Sequence, residues 1–355
     1  MSLTKFKCKN CLAELAFNPA TQKWDCEYCH SSFSLEELSD IEQSFEDSVN
    51  QGEQPPVVEE LKEDDLVVYQ CPNCGAEILA DKDTSATFCL YCKHPTVIPQ
   101  QFRGDFKPQY IIPFMITKEE AIAEFERMIS KKRFISKDFK NKKTLSEIKG
   151  IYVPFWLYSV LAKGKGSYDC ENVTTSTSGN METIRTDYYT AFREMEVFFS
   201  QIPIDASEKM DDSLMTSVEP YYYAKMVPFK SSYLAGFFSE RYSTSKDVAE
   251  NRARERAQNS FLKCMDDSVN FSSKRRISQQ VDCSDSVREY ALLPVYIITV
   301  KYKGKPYIYA INGQTGKVAG NIPIYYPKVF LYGAGMYLGI SLITRAITIF
   351  FSLLG

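Results

Sequence analysis

Eight cysteines arranged as two copies of one pattern constrain this chain more than any other feature. Cys8 and Cys11 are followed after fourteen residues by Cys26 and Cys29, and Cys71 and Cys74 after fourteen residues by Cys89 and Cys92. The fillers repeat as well: Asn10 matches Asn73, Ala13-Glu14 match Ala76-Glu77, and Tyr28 matches Tyr91. A C-x2-C turn puts two thiolates on one knuckle, and the intervening stretch is long enough for a hairpin that carries a second knuckle opposite it. That is the four-sulfur tetrahedron preferred by zinc. The pattern predicts two small β zinc ribbons, at 1–33 and 69–104, each holding one Zn2+ on its four cysteines.

Four thiolates complete the coordination, so no position stays open for water and hydrolytic chemistry is disfavoured. The two histidines, His30 and His94, lie just after the last cysteine of each ribbon. With four sulfurs present they read as solvent-facing neighbours, ligand substitution being the alternative. Disulfides are the other use for eleven cysteines. Here Met1 to Lys5 lead straight into the first knuckle without a secretory leader, which favours metal thiolates in a reducing cytosol. Cys170, Cys264 and Cys283 read as free thiols. Metal removal is expected to unfold each ribbon, since neither has an apolar core of its own.

Charge divides the chain. Residues 1–105 carry 8 Lys or Arg against 19 Asp or Glu, and residues 106–355 carry 34 against 26. Most of the acid lies in 34–68, which reads as a solvated linker with a short helix near Leu35–Phe45. Such a half repels phosphate, so the ribbons do not read as nucleic-acid binders. The most basic segment is Arg252, Arg254 and Arg256, followed by Lys274-Arg275-Arg276. Glu250 and Glu255 among them favour a salt-bridged surface helix over a phosphate or anionic-lipid site.

Residues 105–326 read as an α+β domain with an antiparallel sheet. Thr117 and Glu120 form a capping box for a helix over 117–134, and a second helix is expected near 246–267. Strands are expected at 151–163 and 186–200, with Asp169–Thr186 as the loop between them, and a meander at 293–322. A proline echo runs through this body: Ile112-Pro113-Phe114, Val153-Pro154-Phe155, Val227-Pro228-Phe229 and Leu293-Pro294-Val295. Proline beside an apolar residue suits a strand entry or a sheet edge.

From Val329 to Leu354 the chain is almost wholly apolar, with Arg345 its single charge. About 25 helical residues reach roughly 37 Å, enough for a hydrocarbon core of about 30 Å. Residues 327–355 therefore read as a C-terminal transmembrane segment, with Tyr325, Tyr326 and Lys328 at the interface. This places the preceding domains in the cytosol, on the cytoplasmic membrane. Arg345 either snorkels to the far headgroups or pairs with a carboxylate of another membrane protein, and a helix lying in the interface is a third arrangement. Gly335 and Gly339 offer a close-packing face for an oligomer.

No Walker loop, Gly-x-Ser-x-Gly elbow, His-Glu-x-x-His or Rossmann fingerprint occurs, and no catalytic residue is assigned. The order of two C-x2-C ribbons, Val-Pro-Phe-Trp-Leu-Tyr at 153–158, Tyr-Leu-Ala-Gly-Phe-Phe at 233–238, Ala-Ile-Asn-Gly-Gln-Thr-Gly-Lys at 310–317 and an apolar tail resembles bacterial TFIIB-type zinc-ribbon membrane proteins. These are sometimes mislabelled as primosomal helicases, and some are associated with phage-shock-type envelope stress. The first knuckle departs from the Cys-Pro-x-Cys-Gly form that Cys71–Gly75 keeps. The resemblance implies zinc on the eight cysteines and membrane attachment of 329–354. The function expected from residues and resemblance together is a non-enzymatic, membrane-anchored adaptor that binds protein partners at the cytoplasmic face. The alternative is a zinc-dependent nucleic-acid-binding factor of transcription or replication.

Overall fold

The computed structural model describes residues 6–50, 66–70, 77–81, 83–88, 95–102, 104–136, 139 and 145–354. In chain order they form β1 (Leu15–Asn18), β2 (Lys23–Cys26), β3 (Ser32–Phe33), α1 (Ser39–Asn50), β4 (Leu66–Gln70), β5 (Glu77–Asp81), β6 (Thr84–Phe88), β7 (Pro95–Val97), β8 (Tyr110–Ile111) and α2 (Lys118–Ser130). There follow β9 (Leu145–Ser178), β10 (Met181–Asp205), α3 (Asp212–Ser217), β11 (Val227–Pro228), β12 (Phe238–Glu240), α4 (Lys246–Asp267), β13 (Ser273–Tyr302), β14 (Lys305–Asn312), β15 (Val318–Gly320) and α5 (Tyr326–Leu354).

A small antiparallel sheet, β1-β2-β3, precedes a large sheet in the order β11-β8-β13-β9-β12-β6-β7, with β10 on β9, β14 on β13 and β15 on β14. The large sheet is mixed rather than antiparallel. Short β12 runs parallel to β9, and short β8 runs parallel to β13. Both are three residues or fewer, delivered by long excursions of the chain, and so escape the constraint that ties antiparallel neighbours to tight turns.

The proline echo has a topological explanation. Pro154 and Pro294 lie inside the central strands, with Pro154 opposite Leu292 and Pro294 opposite Tyr152. On its other side β9 is paired to β12 at Ile151 and Tyr152, then to β10 from Phe155 onward. Likewise β13 is paired to β8 through Leu292 and to β14 from Val295. Each proline thus sits where one neighbour leaves and the next takes over, a local edge at which no amide donor is needed.

Both expected helices form. Thr117 closes a capping box with Glu120 at the head of α2, and Ser245 caps α4, whose Ala249, Ala253, Ala257, Phe261 and Met265 are buried. The stretch expected as a loop, Asp169–Thr186, instead continues β9 and β10, which turn only at Gly179-Asn180. β9 runs for 34 residues, about 110 Å of chain at the usual rise. Beyond Val160, β10, β9 and β13 form a three-stranded arm, with α4 packed on one face through Phe261 and Met265.

Residues 36–50, read from their acidity as part of a solvated linker, also fold. A 3-10 turn leads into α1, and Leu38 and Phe45 are fully buried. Phe45 meets Phe102 and Phe229 at 5.6 and 6.4 Å between ring centres. The carboxylate of Glu42 accepts hydrogen bonds from the Ser231 amide and hydroxyl (3.1 Å each) and from the Ser232 amide (2.7 Å). A buried acid that receives three donors is satisfied, which is why this acidic helix can dock at all.

Candidate metal centre

Each knuckle is built by the same backbone device. The Cys8 amide donates to Ala13 O at 2.7 Å and the Leu12 amide to Cys8 O at 2.9 Å. On the second knuckle the Cys26 amide donates to Ser31 O and the His30 amide to Cys26 O, both at 2.9 Å. The residue after each C-x2-C takes a left-handed conformation, Leu12 at φ 62° and His30 at φ 58°. The exposed His30 is thus the turn counterpart of Leu12 and lies outside the sulfur cluster. Leu12 stands where Cys71–Gly75 has its glycine, so the departure at the first knuckle does not prevent the turn.

β1 and β2, paired with Leu15 opposite Cys26, bring the knuckles together. The sulfurs of Cys8, Cys11, Cys26 and Cys29 all lie within 4.8 Å of one another, with Cys8–Cys29 and Cys11–Cys26 at 3.5 Å. Ligands about 2.3 Å from one ion in a tetrahedron stand roughly 3.8 Å apart, so the cluster fits a metal ion. The Asn10 amide points at Cys8 Sγ from 3.4 Å, a donor that stabilises a thiolate. Hydrogen bonding with the hydroxyl and amide of Ser31 brings the Cys29 thiol down to about 6, while Cys11, against its backbone bond to Ala13, is pushed up to about 12 by burial and by the other three sulfurs. The second set, Cys71, Cys74, Cys89 and Cys92, lies outside the described residues, as does His94. Cys170, Cys264 and Cys283 are free thiols remote from the cluster.

The small sheet does not stand apart from the body. The Trp24 indole N–H donates to Ser232 O at 2.7 Å, the Phe17 amide to Ala235 O at 3.0 Å and Gln22 Nε2 to Phe114 O at 2.8 Å. Phe17, Trp24 and Tyr233 pack with ring centres 5.1 to 5.3 Å apart. The Tyr-Leu-Ala-Gly-Phe-Phe segment is therefore the socket for the sheet that carries the four cysteines. Gly236 sits at φ 90°, and a Cβ there would lie 3.3 Å from that of Ala16.

The Ala-Ile-Asn-Gly-Gln-Thr-Gly-Lys segment is a staple as well. Buried Asn312 donates to Val218 O (3.0 Å) and Pro220 O (3.1 Å) and accepts from the amides of Gln314 (2.9 Å) and Thr315 (3.0 Å). Gln314 bonds both backbone groups of Tyr222. The motif holds the loop after α3.

One buried carboxyl elsewhere is out of the ordinary. Burial pushes Asp205 up to about 7, against the Ser207 amide that lowers it, and Asp212 and Glu240 add to the rise while Arg252 opposes it. Its Oδ1 accepts the Ser207 amide at 3.0 Å, and its Oδ2 has no partner. Between about pH 4 and pH 7 the folded chain keeps a proton that the unfolded chain has released. Stability therefore falls as pH rises through that window and levels off above it. Asp205→Asn is expected to raise stability near pH 8 by on the order of 2 kcal/mol and to flatten this slope, as read by denaturant titrations across the window.

The five arginines of the basic segment each meet a carboxylate, while Lys274 bonds the carbonyls of Asp266 and Val269. Arg252 pairs with Asp212 (2.7 Å), Arg254 with Glu250 (2.8 Å), Arg256 with Glu219 (2.8 Å), Arg275 with Asp169 (3.2 Å), and Arg276 with Asp266. At the other end of the chain, α5 is long and apolar enough to cross a membrane, and no residue of Tyr326–Ile347 is buried. No family model and no solved structure matches the chain. It is similar to YdjG, an uncharacterized protein of Bacillus subtilis (strain 168), with 29% identity over 334 residues that cover 80% of this chain and 98% of YdjG.

Proposed function

We propose that this chain is a non-enzymatic adaptor, held at the cytoplasmic face of a membrane by α5 and stapled by zinc, that binds protein partners. The observation that carries it is α5: 29 residues with no residue of Tyr326–Ile347 buried against the body. So much apolar surface is costly in water and is covered by a bilayer without cost. A Cβ at Gly335 or Gly339 would meet nothing within 4 Å, which leaves that face open to a second helix.

Zinc is the ion a closed set of four thiolates suits best, on Cys8, Cys11, Cys26 and Cys29 and, by the repeat, on Cys71, Cys74, Cys89 and Cys92. Bound there it would supply a structural crosslink. The family resemblance would put the adaptor in an envelope-stress response. Support for a protein partner comes from the arm. Ile184, Tyr188, Phe192 and Phe198 alternate along one face of β10 and are 64 to 76% exposed. An open face of this kind suits protein contact and offers phosphate nothing. Against the nucleic-acid alternative stands the pairing of the five arginines of its basic segment with carboxylates.

The test combines fractionation with quantitative co-purification from solubilised membranes. The full chain should sediment with membranes and deletion of 329–355 should release it. Specific partners should be retained by Arg252→Gln and lost from Tyr188→Ser/Phe192→Ser. A full chain that stays in the soluble fraction would contradict the anchor. Duplex-DNA binding that falls steeply with salt and disappears in Arg252→Gln would contradict the adaptor.

A further inference from the structure

Two stretches of the sequence are strongly basic. Residues 290–355 contain five Lys, one Arg and no Asp or Glu, and residues 127–143 contain six Lys, two Arg and one Asp. The fold joins the two stretches. The Tyr325 amide donates to Phe134 O at 2.8 Å, Lys328 Nζ to Ile135 O at 2.6 Å, and the rings of Phe134 and Tyr332 lie 5.8 Å apart. The β13–β14 turn closes in from the other side, with Lys303 Nζ 5.3 Å from the Tyr302 ring and 5.7 Å from the Tyr325 ring.

Around this junction Lys131, Lys132, Arg133, Lys301, Lys303 and Lys305 are all exposed. None of the ion pairs among the described residues includes any of them. Arg252, Arg254, Arg256, Arg275 and Arg276 by contrast are each paired. Lys303 stands beside the Tyr325 ring at the base of α5, Lys301 and Lys305 flank it on the β13–β14 turn, and Lys131, Lys132 and Arg133 lead into Phe134, which contacts the same helix. A bilayer presents matching groups at that depth, since anionic headgroups lie just outside the hydrocarbon and aromatic rings settle between the two.

We propose that this surface docks onto anionic phospholipid headgroups of the leaflet that α5 enters, an inference that rests on the membrane reading of α5. A single helix leaves the body free to swivel, whereas a cationic face beside it fixes which side of the body meets the lipid. The charge split along the sequence then acquires a role. The acidic half, 19 Asp or Glu against 8 Lys or Arg in residues 1–105, is repelled by the same headgroups that hold the base of α5, which keeps the knuckles off the bilayer.

The experiment uses the full chain and a variant carrying Lys131→Gln, Lys132→Gln, Arg133→Gln, Lys301→Gln, Lys303→Asn and Lys305→Gln. Asparagine is chosen at 303 because the turn holds that residue at φ 51°. A second variant changes 301, 303 and 305 alone, and the thermal midpoint of each establishes that it folds. Binding is read by flotation at limiting lipid with phosphatidylcholine vesicles and with a phosphatidylcholine–phosphatidylglycerol mixture. Wild type should bind the neutral vesicles through α5 and the anionic ones roughly tenfold more tightly, a gain lost at high salt. The six-fold variant should bind neutral vesicles as wild type does and show no gain, with the three-fold variant between. Equal binding of wild type to the two vesicles would overturn the lipid face and leave the anchor intact. A gain retained by the six-fold variant would overturn this surface, and failure to bind either vesicle would overturn the anchor and with it the proposal.

Discussion

Removing the metal, by chelation or in Cys11→Ser/Cys26→Ser, is expected to loosen the body as well as the small sheet. Structural four-thiolate sites contribute folding energy outright, about 10 kcal/mol or more in isolated zinc-finger peptides. Here β1 and β2 have no core of their own. Trp24 and Phe17 are 1% and 4% exposed because they are packed against Tyr233 and the 231–237 socket. Once the knuckles open, those aromatics leave the core, and withdrawing a large aromatic costs about 3–5 kcal/mol. The socket also receives Glu42, so the docking of α1 weakens with it. The thermal midpoint should fall by at least roughly 5 °C. The chain has two tryptophans, so a Trp24→Phe background isolates Trp156 within the body. Its emission should shift on chelation too. A midpoint unmoved by metal removal would refute the coupling.

Asn312→Ala is expected to be the most damaging single substitution outside the metal centre. The side chain is fully buried and makes four hydrogen bonds to backbone groups of two segments. Alanine leaves two carbonyls and two amides without this partner, at about 1–3 kcal/mol for each group that water cannot reach. The expected loss is on the order of 4 kcal/mol, measured by denaturant titration. Asn312→Asp keeps the acceptor but sets a buried carboxylate against the Val218 and Pro220 carbonyls, so near neutral pH it should cost at least as much as alanine. A loss below about 1 kcal/mol for the alanine variant would mean that the 218–222 loop is held by other contacts.

How much of this was legible in the sequence depends on where each element finds its partner. The first four-cysteine cluster was legible because its ligands are local and its spacing specifies the turns. α2 was legible from its capping box, and α4 from apolar spacing such as Ala249, Ala253, Ala257 and Phe261. The long arm was not. Residues 169–186 are rich in Thr, Ser, Gly and Asn and exposed over most of their length, so no alternation of apolar and polar residues marks them. They are strands because β13 and the two halves of the hairpin supply backbone partners. The helix at 39–50 was half legible: its acidity suggested solvent, and only the fold shows that Glu42 is met by Ser231 and Ser232. Two of the motifs that carry the family resemblance, at 233–238 and 310–317, were visible, but their task was not, since the groups that Asn312 and Gly236 answer to lie some 90 residues or more away in the chain.

The most direct test of the four-thiolate centre is a count of bound metal on the reduced full chain by native mass spectrometry, for wild type and for Cys8→Ser/Cys29→Ser. If Cys8, Cys11, Cys26 and Cys29 hold one closed site, the variant carries one zinc fewer than wild type. Identical metal content in the two proteins, or a wild type with no bound metal and four freely alkylated thiols at these positions, would contradict it.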